Sequence, residues 1–183
     1  MSLKYVNIIL DNNPILRIVS KDVKLPLSAE DKDILLSMLK YVIDSTDEEL
    51  KEQFNLKPAV GLAAPQIGIN KRMFVIDLED EENQYTFALV NPKIISHSEQ
   101  LSYLESGEGC LSVEDEYEGN VYRYSRVKIK AYDLLQDKEI IIKASGYLAI
   151  ALQHELDHIN GILFYDRINK DNPFEIKENS ISI

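Results

Sequence analysis

The sequence predicts an α+β fold in which antiparallel sheets pack around a central helix in the C-terminal half of the chain. Two observations favour this class. From residue 73 to residue 144 the chain reads as successive short strands, rich in β-branched and aromatic residues. An apolar helical segment follows from residue 145. Strands that precede a late helix indicate α+β, because a parallel α/β sheet requires alternating strands and helices.

The first 55 residues predict helices. Pro14 after Asn13 is typical of the first position of a short helix. The segment from Ser28 to Asp31 resembles a capping box, with Asp in place of Glu. An amphipathic helix is predicted after it, because apolar residues recur on one face: Ile34, Leu35, Met38, Leu39, Val42 and Ile43. The polar run DSTDEELKEQF predicts a second helix or an extension of the first.

The middle of the chain predicts strands and turns. The predicted strands are MFVIDL (73–78), YTFALVN (85–91), KIIS after Pro92, RVKIKAYD (126–133) and EIIIKA (139–144). DEENQ and LQDK are predicted to be hairpin connections. Ser145 and Gly146 then begin the late helix, and Gly161 ends it in a left-handed conformation.

Composition and charge exclude several classes of protein. The chain is 45% hydrophobic and 28% charged, and 183 residues without a linker or repeat predict a single domain, 1–183. A net charge of −11 argues against binding to nucleic acid or to an anionic membrane. Neither a long apolar run nor a secretory signal is found, and the lone Cys110 fits a reducing compartment, so we expect a cytoplasmic protein.

The sequence QHELDH (153–158) carries two of the three histidines one helical turn apart. On a helix, His154 and His158 lie on one face and can bind one metal ion, with Glu155 as general base. The apolar run before the motif predicts a buried helix, where two unpaired imidazoles need partners. A metal-binding helix is therefore favoured over an exposed charged face.

The third ligand is less evident from the residues alone. A catalytic site commonly uses three protein ligands and one water. In HELDHINGILF, Phe164 stands where an extended motif would place a third histidine. Glu178 would serve an ordinary endopeptidase but lies in a polar tail. Cys110 lies close to Gly107 and Gly109, and a thiolate suits a borderline or soft metal, although a lone cysteine is often a buried structural residue. A third possibility is a structural metal site without activity.

A third stretch, AVGLAAPQIG (59–68), brackets small residues and Gln66 between two glycines. Together, AVGLAAPQ, EGCLS and QHELDH strongly resemble the peptide deformylase family, whose pattern is GxGxAAxQ, EGCLS and HExxH. The resemblance covers nearly the whole chain and is greatest to the type found in Gram-positive bacteria and their relatives. Ala59 stands where that pattern has its first glycine.

The resemblance implies a hydrolase that removes the formyl group from the N-terminal formyl-methionine of newly made peptides and releases formate. It implies one divalent metal ion, Fe²⁺ natively, with Zn²⁺, Ni²⁺ or Co²⁺ able to occupy the site. The implied metal ligands are Cys110, His154 and His158, with water in the fourth position. Glu155 is implied as general base and acid, and Gln66 with the N–H of Leu111 as oxyanion donors. Gly61, Gly107 and Glu108 are implied to border the substrate cleft.

Helical spacing adds residues for a methionine pocket. Ile150 and Ala151 precede His154 by four and three positions, and Tyr147 precedes it by seven. All three therefore share the face of His154, where they line a pocket or contribute to ordinary core packing. We expect a monomer that contacts the ribosome transiently, without specific nucleic-acid or membrane binding. Residues 171–183 are too acidic for a basic docking helix and are predicted to lie against the body, with Ile181 and Ile183 at a sheet edge.

Overall fold

The computed structural model describes residues 5–81 and 83–183 and has the predicted α+β architecture. The helices are α1 (Ala29–Thr46), α2 (Glu48–Phe54) and α3 (Gly146–Ile159). The strands are β1 (Gly61–Ala63), β2 (Met73–Glu79), β3 (Gln84–His97), β4 (Leu101–Tyr103), β5 (Arg123–Tyr124), β6 (Arg126–Asp133), β7 (Lys138–Ser145) and β8 (Ser180–Ser182). Single 3-10 turns occupy Pro14–Arg17, Ala64–Ile67 and Phe164–Arg167.

Five strands form an antiparallel sheet in the order β1-β2-β3-β6-β7. Both faces of this sheet are covered, as alternation along β2 shows. Phe74 and Ile76 belong to the apolar cluster that includes α3, whereas Met73 and Val75 belong to the cluster that includes α1. Helix α3 therefore lies between this sheet and the second sheet, and β1 lies alongside the HExxH segment.

The smaller sheet has the order β5-β4-β8. Its β4–β5 pair is antiparallel, like every pair of the larger sheet and as predicted, whereas its β4–β8 pair is parallel. A returning C-terminal segment can pair in parallel because the long intervening chain serves as the crossover connection. Ile181 lies opposite Ser102, so the expectation that the tail pairs along a sheet edge is confirmed.

The prediction of a separate strand after Pro92 is wrong, because β3 continues through Pro92 to His97. The ladder with β6 shifts register between Val90 and Lys93, and Asn91 adopts a positive φ of 52°. At such a bulge a proline removes no ladder hydrogen bond. The hairpin between β2 and β3 is confirmed by their pairing, although Glu82 in DEENQ and residues 1–4 lie outside the described residues.

Within residues 5–81 and 83–183, no helix is both long enough and apolar enough to cross a membrane.

Candidate metal centre

Helix α3 brings the two histidines together. Of its 14 residues, 11 are buried, so its polar side chains must find partners inside the protein. His154 and His158 lie one turn apart on one face, and their Nε2 atoms are 3.2 Å apart. The His154 Nδ1 lies 2.8 Å from Glu108 Oε2 and donates to that carboxylate, which leaves Nε2 as the nitrogen that can bind a metal ion.

The loop after β4 adds the thiol. Gly107 has a φ of +78°, which favours glycine, and the chain then places Cys110 Sγ 3.3 Å from His158 Nε2. One ligand atom from each of Cys110, His154 and His158 lies within 4.8 Å of the others. A thiol and two imidazole nitrogens that converge in this way fit a divalent transition metal, for which these are the preferred ligands.

A buried ion network supports this cluster. Arg123 donates from Nε and Nη2 to the two oxygens of Glu108, at 2.6 and 2.7 Å. Its Nη1 donates to Asp157 at 2.9 Å, and Arg167 completes the network with two bonds to the same carboxylate. The side chains of Arg123 and Glu108 are only 1% and 3% exposed. Arg123 therefore fixes Glu108, which in turn orients the imidazole of His154.

The pKa values follow from burial and these charges. Burial acts to raise the pKa of Glu108, but hydrogen bonds from Arg123 and His154 outweigh it and lower the pKa to about 2. Burial acts to lower the pKa of His154, but hydrogen bonds to Cys110 and Glu108 raise it to about 10. Burial and the charge of His154 together lower the pKa of His158. Metal ligation requires both imidazoles to be neutral, so metal uptake displaces a proton from His154.

Glu155 is placed beside the cluster without joining it. Its side chain is buried, and Oε2 has no hydrogen-bond partner among the described residues. Burial, opposed by the charges of His154 and Arg123, raises the pKa of Glu155 to about 7. An unpaired carboxylate with a pKa near neutrality is suited to accept and return a proton.

Gly61 on β1 makes room for this carboxylate. A Cβ at this position would lie 2.5 Å from Glu155 Oε1 and 2.9 Å from two other atoms of the same side chain. The motif glycine is therefore required here by the close approach of Glu155, and any side chain would displace the carboxylate.

We expect Gly61→Ala to retain metal and to lower turnover by about 10²-fold, since misplacement of a reacting group by about 1 Å has effects of that order. Steady-state turnover and metal content check this. Gly109→Ala is the matched control, because a Cβ there meets nothing within 4 Å and should leave turnover nearly unchanged. Equal activity of the two variants would contradict the close-approach argument.

Gln66 and Leu111 both lie next to Cys110. The Oε1 atom of Gln66 accepts from the N–H of Ala63 at 2.8 Å, which sets the orientation of the amide. Its Nε2 therefore faces the cluster, 3.6 Å from Cys110 Sγ and 3.3 Å from Ser112 Oγ. Leu111 follows Cys110 and lines the same cleft.

A cleft of about 800 Å³ opens at the cluster. Most of the predicted site residues line it: Gly61, Gln66, Glu108, Cys110, Leu111, Tyr147, Ile150, Ala151, His154 and Glu155. Gly107 lines an adjoining cavity that shares Glu108 and Cys110 with the cleft, and His158 lies buried below it. Glu108 reaches the cleft, but both of its oxygens are already bound to Arg123 or His154. Ala59, the departure from the motif, lines the cleft.

Sequence reasoning missed Arg123, Asp157 and Arg167. Asp157 stands inside the HExxH motif, and a carboxylate on a helix predicted to be buried requires a cationic partner. That requirement could have indicated that a buried arginine exists. It could not have identified Arg123, which lies 34 positions away on strand β5.

Metal-assisted cleavage of an amide requires protein ligands for the metal, space for the substrate and a nearby base. Here the three converging ligand atoms, the open cleft and the unpaired Glu155 meet these three requirements. The fold and the site define a metal-dependent hydrolase.

Comparison with known proteins identifies its family. The sequence model of the polypeptide deformylase family matches residues 5–174. Peptide deformylase 2 of Bacillus anthracis is 47% identical over 175 residues, 95% of each chain. Peptide deformylase 2 of Bacillus subtilis is 48% identical over 178 residues, 97% of this chain and 96% of the relative. The crystal structure of peptide deformylase from Thermus thermophilus superposes with a TM-score of 0.74 at 30% identity, covering 93% of this chain and 89% of that one. The chain belongs to the polypeptide deformylase family, enzymes that remove the N-formyl group from newly made polypeptides.

Proposed function

We propose that this cleft deformylates N-formylmethionyl peptides, with Cys110, His154 and His158 holding one divalent metal ion. The observation that carries the proposal is the convergence of three metal-ligating atoms at the floor of an open cleft, beside the buried, unpaired Glu155. A metal held there would act as a Lewis acid and lower the pKa of water from about 16 towards 7.

The residues of the chain supply the remaining steps. Glu155 accepts a proton from the attacking water as the water oxygen bonds to the formyl carbon. The Nε2–H of Gln66 and the backbone N–H of Leu111 donate to the oxygen on which negative charge develops, where loss of one donor costs roughly 3 kcal/mol. Glu155 then returns its proton to the peptide nitrogen as the carbon–nitrogen bond breaks. The products are formate and a free N-terminal amine.

The substrate lies along the face of α3 that carries His154. Ile150 and Ala151 are buried in the cleft wall and offer an apolar surface to the methionine side chain, and Tyr147, 42% exposed, closes its outer end. Gly61 and the loop containing Gly107 and Glu108 border the peptide backbone. In this proposal Glu108 acts mainly through His154, because its carboxylate is committed to ion pairs.

We further propose that the native metal is Fe²⁺ and that Zn²⁺, Ni²⁺ or Co²⁺ can replace it. Residues 1–183 would work as one monomeric catalytic domain in the bacterial cytoplasm. A thiolate ligand favours these softer metals over Mg²⁺ or Ca²⁺. The test is the metal content of freshly reduced protein, measured with its hydrolysis of formyl-Met-Ala. Stoichiometric metal with formate release is expected, and metal-loaded protein without formate release would contradict the proposal.

The network around Arg123 gives a prediction for stability and metal affinity. Arg123→Met leaves Glu108 and Asp157 buried without their shared cation. The free energy of unfolding should fall by about 3–5 kcal/mol, the usual effect of breaking a buried ion pair. Metal affinity should fall about 10–100-fold, because the partner of His154 loses its orientation. Urea denaturation and a competing chelator measure the two effects.

Arg126→Met is the matched control, because Arg126 is exposed on β6, the next strand along the chain. It should change stability by no more than about 0.5 kcal/mol. If Arg123→Met were as stable and bound metal as tightly as Arg126→Met, Arg123 would not organise the site.

The C-terminal tail gives a prediction for ribosome contact. Residues 168–183 contain no helix and end in β8. We propose that any ribosome contact is transient and independent of this tail. A chain truncated after Asn172 should keep its ribosome affinity in a sedimentation assay, with formyl-Met-Ala turnover as the control for folding. A large, salt-sensitive loss of ribosome binding with turnover intact would identify the tail as a docking element.

A further inference from the structure

A second cavity, of about 1080 Å³, lies against a different face of α3 from the metal cluster. On α3 and its C-cap it is lined by Gln153, Leu156, Asp157 and Asn160, whereas the substrate cleft is lined by His154 and the residues on its face. Its other walls come from residues 19–22, strands β3 and β5, and the C-terminal segment. No residue of this cavity contacts substrate or metal in the proposed mechanism, although Arg123 and Asp157 in its wall belong to the ion network that supports the metal cluster.

The cavity is positively charged in a chain whose net charge is −11. Two of its arginines, Arg123 and Arg167, are neutralised by Asp157 and Glu108, and Arg72 lies 3.5 Å from Asp22. Three lysines remain: Lys21, Lys93 and Lys177. Across residues 5–81 and 83–183, no carboxylate pairs with any of these three. The cavity thus carries about three uncompensated positive charges.

Buried polar groups and apolar walls accompany this charge. Ser20 is 5% exposed, and its hydroxyl has no hydrogen-bond partner in the part of the chain that the structure describes. A buried polar atom without a partner leaves an unmet hydrogen bond in the cavity wall. Ile94, Leu101 and Leu156 supply apolar wall, and Tyr124 supplies an aromatic one.

We propose that this cavity binds a small organic phosphate. Several lysine ammonium groups match a multiply charged oxyanion, because lysine binds phosphate as a point charge. A phosphate group carries about −1.5 to −2 near neutral pH, whereas a carboxylate carries a single charge. The apolar and aromatic walls then contact the organic part of the ligand.

A small ligand fits these features better than a nucleic acid does. The three lysines line a concave space of the size that small-molecule sites have. The acidic remainder of the chain repels an extended polyanion.

The test is binding of ADP to the zinc-loaded protein by isothermal titration calorimetry, with inorganic pyrophosphate and a single-stranded RNA oligonucleotide as comparisons. Saturable ADP binding is expected, with a Kd of about 1 mM or tighter. The double variant Lys21→Glu/Lys93→Glu should weaken it by roughly tenfold or more. Lys32→Glu/Lys128→Glu makes the same charge change at exposed lysines outside the cavity and should leave the Kd within about twofold of wild type.

Deformylation of formyl-Met-Ala should be the same in both double variants, and ADP should not compete with the peptide. Competitive inhibition would place the phosphate at the metal instead and would overturn the proposal. Absence of saturable binding, or equal weakening by the two double variants, would also overturn it. If pyrophosphate bound as tightly as ADP, the organic part of the ligand would contribute nothing to affinity and the proposal of an organic phosphate would be wrong. If RNA bound more tightly than ADP, the site would not be one for a small ligand.

Discussion

Glu155→Gln should retain its metal and lose deformylation by about 10²–10⁴-fold in kcat, the range that positioned acid–base groups contribute. Glutamine has the same shape and fits the same space beside Gly61, but it can neither accept the proton of the attacking water nor return it to the amine. None of the three predicted metal ligands is altered. The variant should also fold normally, because burial already disfavours the ionised form of Glu155 and raises its pKa to about 7.

The measurement is formate release from formyl-Met-Ala at saturating substrate, with metal content determined on the same samples. Glu114→Gln is a matched control, since Glu114 lines the same cleft, is 62% exposed and undergoes the same change of charge. Its kcat should stay within about twofold of wild type, as expected for a solvent-exposed charge that takes no part in the proton transfer. Near-wild-type turnover by Glu155→Gln would remove Glu155 from the mechanism.

Periodicity is sufficient to predict the elements that carry the site. The apolar spacing in α1 and the strict alternation in β6 each reflect one buried face, and local sequence records this directly. The helical character of residues 146–159 then places His154 and His158 on one face by their spacing alone. The fold class follows from the order of these segments, and it is the one that the protein adopts.

The strands that periodicity misses are short ones. β1, β4 and β5 contain three, three and two residues, too few for a period to appear. Their existence depends on partners distant in sequence, so no local signal records them. Pro92 misleads for a related reason, because the bulge that accommodates it exists only through the pairing of β3 with β6.

The residues of the site likewise differ in whether local sequence can predict them. A motif such as HELDH is local, so its two histidines and Glu155 can be proposed from spacing alone. Cys110 depends on a family resemblance, since a lone cysteine between glycines has several ordinary explanations. Arg123 is marked neither by a local motif nor by the family resemblance. Its role arises from the requirement that the buried charges of Glu108 and Asp157 be neutralised together, which only the assembled fold reveals.

Replacement of Cys110 separates deformylation from the endopeptidase alternative. Cys110→Ser replaces a thiolate with a hydroxyl that remains protonated at neutral pH and is a poor ligand for a transition metal. If the thiolate completes the site, metal affinity or turnover should fall by orders of magnitude, and Cys110→Asp should restore an anionic ligand with altered reactivity. Equilibrium dialysis against the metal and formate release from formyl-Met-Ala measure the two effects.

The endopeptidase alternative makes the opposite prediction for Glu178. That residue is exposed two positions before β8, and the cluster of candidate ligands among the described residues consists of Cys110, His154 and His158. A glutamate already solvated at the surface gains little metal affinity unless the tail leaves its sheet, which would break the pairing of β8 with β4. We therefore expect Glu178→Gln to bind metal and deformylate as the wild type does. The two outcomes exclude each other: if Glu178→Gln lost its metal while Cys110→Ser kept it, the thiolate would be a structural cysteine and the deformylase assignment of this site would be wrong.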